Sequence, residues 1–153
     1  MMAGGAYGLF EIYGRLLDED RLEDWLDLFA ETAQYEIVSR ENRALNLPLS
    51  LMLCDNKDML RDRIHSLRHA NIFNIHRDCH VIGLVHASPA EGGRVSAGAS
   101  YSLFQSNQEG ETRLFSVGRY VFDLVQQDDR LLIERALVVV DTGTIPTLLA
   151  TPI

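Results

Sequence analysis

Apolar residues change their spacing along this chain, and the change divides it in two. Leu9, Tyr13, Leu16 and Leu17 fall at helical intervals. After a charged break at Asp18 to Asp20, Leu22, Trp25, Leu26 and Phe29 repeat the i, i+3, i+4, i+7 pattern, so two amphipathic helices open the chain. Residues 33–40 read as a strand, and 42–48 as a loop leading into the apolar run Leu49 to Cys54. A third helix follows, with Asn56 as its N-cap and Leu60, Ile64 and Leu67 as its buried stripe.

From about residue 78 the period falls to two. Val95, Ala97, Ala99, Tyr101 and Leu103 alternate with Arg94, Ser96, Gly98, Ser100 and Ser102, the mark of a strand with one buried face. Polar and glycine-rich clusters at 88–93, 106–111 and 126–129 separate four β runs at 80–87, 94–106, 112–126 and 130–141. Connections this short make successive strands antiparallel, because a parallel crossover takes a dozen or more residues. Helices first and a strand meander afterwards predict an α+β fold, with N-terminal helices packed on one face of a curved antiparallel sheet. The 153 residues contain no repeat or linker and read as one domain, 1–153.

Charge narrows the partners. The net charge of −8 opposes a nucleic-acid or anionic-membrane partner, since either requires a clustered basic surface. No apolar run is long enough to span a bilayer and no basic segment precedes an apolar one near the start, so a soluble, unprocessed protein is expected. Two cysteines, Cys54 and Cys79, fit a reducing cytoplasm, although one disulfide stays open. Charge is also unevenly placed: residues 11–31 hold eight acids against Arg15 and Arg21, while the third helix carries Lys57, Arg61, Arg63 and Arg68 against Asp58 and Asp62. Either these are two solvated helix faces or they are complementary surfaces for oligomerisation.

The candidate chemistry is sparse. All five histidines lie between 65 and 86. His65 and His69 share a helix face but lack the glutamate of the His-Glu-x-x-His zinc motif. His76, Asp78 and His80 alternate in an extended segment and would point the same way, yet they are strung along a line rather than converging as an iron triad must. A Rieske cluster takes two thiolates on one iron and two imidazoles on the other; neither Cys54 nor Cys79 stands in a Cys-x-His or Cys-x-x-His pair. Nucleophile-elbow, P-loop and dinucleotide-binding motifs are missing as well. An acid–base site in the mouth of the sheet would draw on Asp55, Asp123 or His80 with the hydroxyl of Tyr13, Tyr35 or Tyr101.

Taken in order, several short motifs resemble one family. They are the acidic turn from Leu17 and Asp18 to Trp25, Tyr35 at the strand onset, and Leu60-Arg61-Asp62-Arg63 with Ile64, Leu67 and Arg68. Arg77 and His80 follow as Arg-x-x-His, then the run Phe115 to Tyr120 with Asp123, Glu134-Arg135 and Asp141-Thr142. The tail has Ile145-Pro146-Thr147 and Leu149 to Ile153. This set resembles the β (small) subunits of Rieske-type aromatic-ring-hydroxylating dioxygenases, within the nuclear-transport-factor-two and ketosteroid-isomerase-like superfamily of cone-shaped folds. The stretches Asp55 to Ile64 and His80 to Leu84 look nearest to terephthalate-type small subunits, which implies a carboxylated aromatic substrate. Cys79 stands where the family commonly has an Arg.

The resemblance implies a non-catalytic assembly subunit in aromatic catabolism, holding no cofactor itself. Its partner would be an α subunit bearing a Rieske iron–sulfur cluster and a mononuclear iron, in a cytoplasmic assembly of three α and three β subunits fed by a reductase. The candidate interface comprises Arg61, Arg63, Arg68, His76, Arg77, His80, Arg135, Pro146, Pro152 and Ile153. The apolar tail from Ile145 to Ile153 must dock somewhere, with a neighbouring subunit favoured over the chain's own domain. The alternative is a free-standing isomerase or dehydratase on the same cone.

Overall fold

The structure is a computed structural model that describes residues 2–47, 49–70, 76–141 and 151–153. Helix α1 (Met2–Asp18) and the short α2 (Leu22–Leu26) precede strand β1 (Phe29–Ser39). A one-turn helix α3 (Arg40–Ala44), a short strand β2 (Met52–Cys54) and helix α4 (Lys57–Ala70) come next. The remainder is a meander of β3 (Arg77–Pro89), β4 (Arg94–Ser106), β5 (Thr112–Gln127) and β6 (Arg130–Val140). The α+β architecture expected from the change of period is present, with α1 against β3 and α4 against β1.

Six strands form one sheet in the order β2-β1-β6-β5-β4-β3. The hairpin-connected neighbours are antiparallel, as their short connections require. The pairing of β1 with β6 is parallel, with Tyr35 opposite Ala136 and Ser39 opposite Val140. Residues 40–129 lie between those two strands, so no local turn signal announces this pairing.

Among the boundaries that differ from the sequence pattern, such as β3 running from Arg77 to Pro89 where 80–87 was expected, two have a clear physical cause. Phe29, at helical spacing from Leu22, belongs to β1: α2 closes after five residues with Leu28 N–H donating to the Trp25 carbonyl, and Ile133 N–H then captures the Leu28 carbonyl at 2.8 Å. Pairing with β6 therefore overrides the local period. The segment read as a loop from Asn42 begins inside α3, where the Ser39 hydroxyl accepts the Asn42 N–H at 3.1 Å as an N-cap. The expected cap of α4 is in place, Asn56 accepting the Met59 N–H through its side chain at 2.9 Å.

Between the helices and the sheet lies an aromatic core. Trp25 stands edge-on to Phe29 and Tyr35, with ring centroids 4.7 and 5.6 Å away. Tyr13 bridges Trp25 at 5.7 Å to Tyr120 at 5.3 Å, and Tyr101 stacks on Tyr120 at 4.7 Å. Edge and offset contacts of this kind align positive ring edges with negative faces, adding to the burial of apolar area. On the opposite face of the sheet, Val38, Leu137 and Val139 form a second, small cluster, because alternate residues of a strand face opposite ways.

Close approach inside the sheet depends on Gly118. A Cβ at that position would stand 2.1 Å from the Val139 carbonyl oxygen and 3.0 Å from the Tyr101 ring. Gly14 serves α1 similarly, since a Cβ there would meet the Ile82 side chain at 2.8 Å and His80 Cβ at 3.4 Å. Backbone oxygen cannot yield as a flexible side chain can, so Gly118→Ala should destabilise the fold by about 3 kcal/mol, against a smaller loss for Gly14→Ala. Urea unfolding followed by tryptophan fluorescence measures both.

Candidate functional site

The last residue is anchored inside the core. Tyr13 on α1 and Tyr35 on β1 each donate a hydroxyl to the Ile153 main-chain oxygen at 2.8 Å, and Ile153 N–H donates to the Tyr35 hydroxyl oxygen at 2.9 Å. Ile153 is 2 % exposed and Pro152 is buried, so this part of the apolar tail docks on its own domain and not on a neighbour. The physical reason is that the cone supplies both an apolar interior and two hydroxyl donors for a backbone oxygen that would otherwise be buried unpaired. Pro146 lies outside the described residues.

The acid–base residues anticipated for an open mouth are spoken for. Tyr101 shares a hydrogen bond with the buried Ser116 hydroxyl at 2.9 Å. Burial pushes the Tyr13, Tyr35 and Tyr120 phenols well above their ordinary range and Tyr101 up to about 12, which keeps all four protonated. Asp55 is exposed, and Asp123 lies on the strand face opposite Phe122 and Leu124.

His80 is drawn into an internal pair. Its backbone N–H donates to both Asp18 carboxylate oxygens, at 2.9 and 3.1 Å, and its ring Nδ1 lies 2.5 Å from Asp18 Oδ1. The His80 side chain is 1 % exposed, so it fastens the end of α1 to β3 and offers nothing to another subunit's surface. Asp78, one register step before it, is largely buried with Oδ1 3.3 Å from His76 Nε2. Burial raises the Asp78 carboxyl above the usual carboxylate range, while His76 and His80 oppose the rise. The alternating histidines and aspartate are thus divided between two pairings, and among the described residues no group of three His, Cys, Asp or Glu could hold a metal ion.

Other metal-type donors are dispersed. Cys54 on β2 and Cys79 on β3 sit on opposite edges of the sheet, which separates the thiolates that one iron of a Rieske cluster would need. Burial pushes the Cys54 thiol up, with Arg63 beside it opposing the shift. His65 and His69 stack on α4 with centroids 4.0 Å apart, and His69 Nδ1 lies 2.9 Å from the His65 carbonyl oxygen. No described helix is long and apolar enough to cross a membrane.

The charge asymmetry between the opening helices and α4 meets inside the molecule at Arg68. Its guanidinium grips Glu23 through Nε and Nη2, both at 2.9 Å, and Asp20 through a carboxylate oxygen and the main-chain oxygen, both at 2.7 Å. A planar fork matches a carboxylate bidentately, a geometry lysine cannot reproduce. Arg61 pairs with Asp58 on its own helix. Arg77 and Arg135 are exposed, and His76 is partly so.

An unanticipated feature flanks the free edge of the sheet. Leu45, Leu47, Leu49, Leu51 and Leu53 are 43 to 70 % exposed, leading into and along the edge strand β2. Large apolar side chains in a row beside an unpaired strand mark a surface that is covered in use. Leucine at every odd position from 45 to 53 was the available signal, hidden because 42–48 reads as a loop and Leu49 to Cys54 as a continuous apolar run.

The Arg68 fork generates a pH-dependent test. It holds the Glu23 carboxyl at about 2, below its ordinary value, through hydrogen bonds from the guanidinium. The contribution is complete above the unfolded pKa of about 4.3 and is lost as pH falls toward 2. The Glu23 side chain is 63 % exposed, so solvent screening limits the effect of Arg68→Ala to about 1 kcal/mol at pH 7. In urea unfolding the difference from wild type should persist to pH 5 and shrink between pH 4.5 and 2; Arg68→Lys should recover less than half of it.

Residues 14–147 match the family model described as ring hydroxylating beta subunit. The small subunit of anthranilate 1,2-dioxygenase from Burkholderia cepacia is 39% identical over 137 residues, covering 90% of this chain and 85% of that one. The terephthalate 1,2-dioxygenase terminal oxygenase component subunit beta 1 from a Comamonas species is 30% identical over 141 residues, 92% of each chain. A crystal structure from Novosphingobium aromaticivorans, assigned as the beta subunit of an aromatic-ring-hydroxylating dioxygenase, superposes with a TM-score of 0.90 at 39% identity, covering 99% of this chain and 97% of that one. Matched along nearly its whole length in sequence and in fold, the chain belongs to the ring-hydroxylating beta subunit family, the small subunits of aromatic-ring-hydroxylating dioxygenases.

Proposed function

We propose that this chain is the non-catalytic assembly subunit of a dioxygenase acting on a carboxylated aromatic ring. It packs, as three copies with three, against a cytoplasmic large subunit that holds the Rieske cluster and mononuclear iron and receives electrons through a reductase. The observation carrying this reading is the pairing of the core phenols: with Tyr13 and Tyr35 hydrogen-bonded to Ile153, the hydroxyls that an interior acid–base site would use are engaged, which favours a role for the outer surface. The substrate class is supported by the two relatives, whose named substrates, anthranilate and terephthalate, both carry a ring carboxylate. The acid–base alternative is not favoured, because its tyrosines and His80 are already hydrogen-bonded within the chain.

The contact surface is assigned to the leucine row at the β2 edge. Co-expression with a dioxygenase large subunit from the same source should give a stoichiometric complex, with iron travelling with the large subunit. Leu47→Asp/Leu51→Asp should weaken co-purification at least about a hundredfold, as expected when two apolar anchors of an interface are replaced by charges, while leaving the thermal transition of the isolated chain within a few degrees. A complex that forms undiminished, or iron bound tightly by the chain alone, would reject the assignment.

A further inference from the structure

Two histidines on α4 form a pair that an assembly role leaves unused. His65 and His69 sit about one helical turn apart, and their ring centroids are 4.0 Å apart. Both side chains are exposed, whereas Leu60 and Ile64 of the same helix are buried in the core. A spacing of four on an α-helix sets two side chains one above the other, so the backbone holds the imidazoles together before any ligand arrives. Their orientation is prepared as well. His69 Nδ1 lies 2.9 Å from the His65 carbonyl oxygen. A carbonyl oxygen only accepts, so Nδ1 carries the proton and the neutral ring keeps its lone pair on Nε2. Metal-binding histidines use this arrangement, with one ring nitrogen tied to an oxygen and the other left to ligate. Charge does not oppose it: Arg61 and Arg68 are engaged by carboxylates, and Asp62 lies on the same helix face one turn before His65.

We propose that His65 and His69 form a two-imidazole chelate for one divalent transition-metal ion, with water completing its coordination. Imidazole nitrogen suits copper(II), nickel(II) and zinc(II), whereas magnesium and calcium take oxygen ligands. Copper binds more tightly than nickel at such a site. The second imidazole adds its bond at little further entropic cost, because the helix already holds it beside the first. A bound ion also ties residue 69 to residue 65 across the last turn of α4, where the terminal carbonyls lack intrahelical partners. The site is thus a metal staple at the end of this helix.

The test is calorimetric titration of the full chain with nickel(II), with magnesium in parallel. One nickel ion should bind per chain, and magnesium should give no saturable signal. His65→Ala and His69→Ala should each weaken nickel binding at least about tenfold, because one imidazole alone is no chelate. Alanine keeps the helix propensity at both positions, so the variants retain α4. His86→Ala, which removes an exposed histidine on β3, should leave nickel binding unchanged. Saturating nickel should raise the thermal transition of the unsubstituted chain, and the rise should vanish in His65→Ala/His69→Ala. Equal nickel affinity in the unsubstituted chain and the double variant, or no saturable binding by the unsubstituted chain, would overturn the proposal.

Discussion

Three distant parts of the chain meet at two phenolic hydroxyls. Tyr13 lies on the first helix, Tyr35 on the first strand, and Ile153 in the tail, and their hydrogen bonds at 2.8 and 2.9 Å fix all three against the aromatic core. The arrangement is mutually dependent. Without Ile153, two buried hydroxyls lose their acceptor in a low-dielectric interior, where an unmade hydrogen bond costs more than a made one contributes. Without the tyrosines, the tail oxygen has no donor. The rest of the core is organised around this hub, with Trp25 and Phe29 packed edge to face and Tyr101 stacked on Tyr120 beside it.

These hydrogen bonds engage Tyr13 and Tyr35 within the core. Fold alone never decides activity. Here the titratable residues that could have formed an internal site are used structurally: Asp18 and His80 tie α1 to β3, and Arg68 ties the α1–α2 turn to α4. The surface keeps what an assembly partner can read, a row of leucines beside an unpaired strand edge and a few exposed arginines.

Electrostatics illustrates why composition misleads about partners. Eight acids near the start and four basic residues on α4 could equally have marked a contact between subunits. The fold brings Asp20, Glu23 and Arg68 together inside one chain, and part of that complementarity is consumed there. His76, Asp78 and His80 teach the same point: alternation places them on one face of β3, yet the carboxylate that captures His80 comes from α1, 62 residues earlier.

The sequence by itself determined the order and type of most elements, because hydrophobic period and turn chemistry are local properties. Helical spacing around Tyr13, the Asn56 cap, the alternation from Val95 to Leu103 and the polar hairpin clusters all correspond to observed features. The ordered motifs from Asp18 to Arg135 also carried the family. Tertiary structure alone decided whatever joins residues far apart in the chain. The parallel pairing of β1 with β6 moved Phe29 from helix to strand, Gly118 met the Val139 carbonyl, and Ile153 came to rest against Tyr13 and Tyr35 within its own domain. An apolar tail must be buried wherever it can be, and only the assembled cone, with two unsatisfied hydroxyls and a space between them, fixes the place.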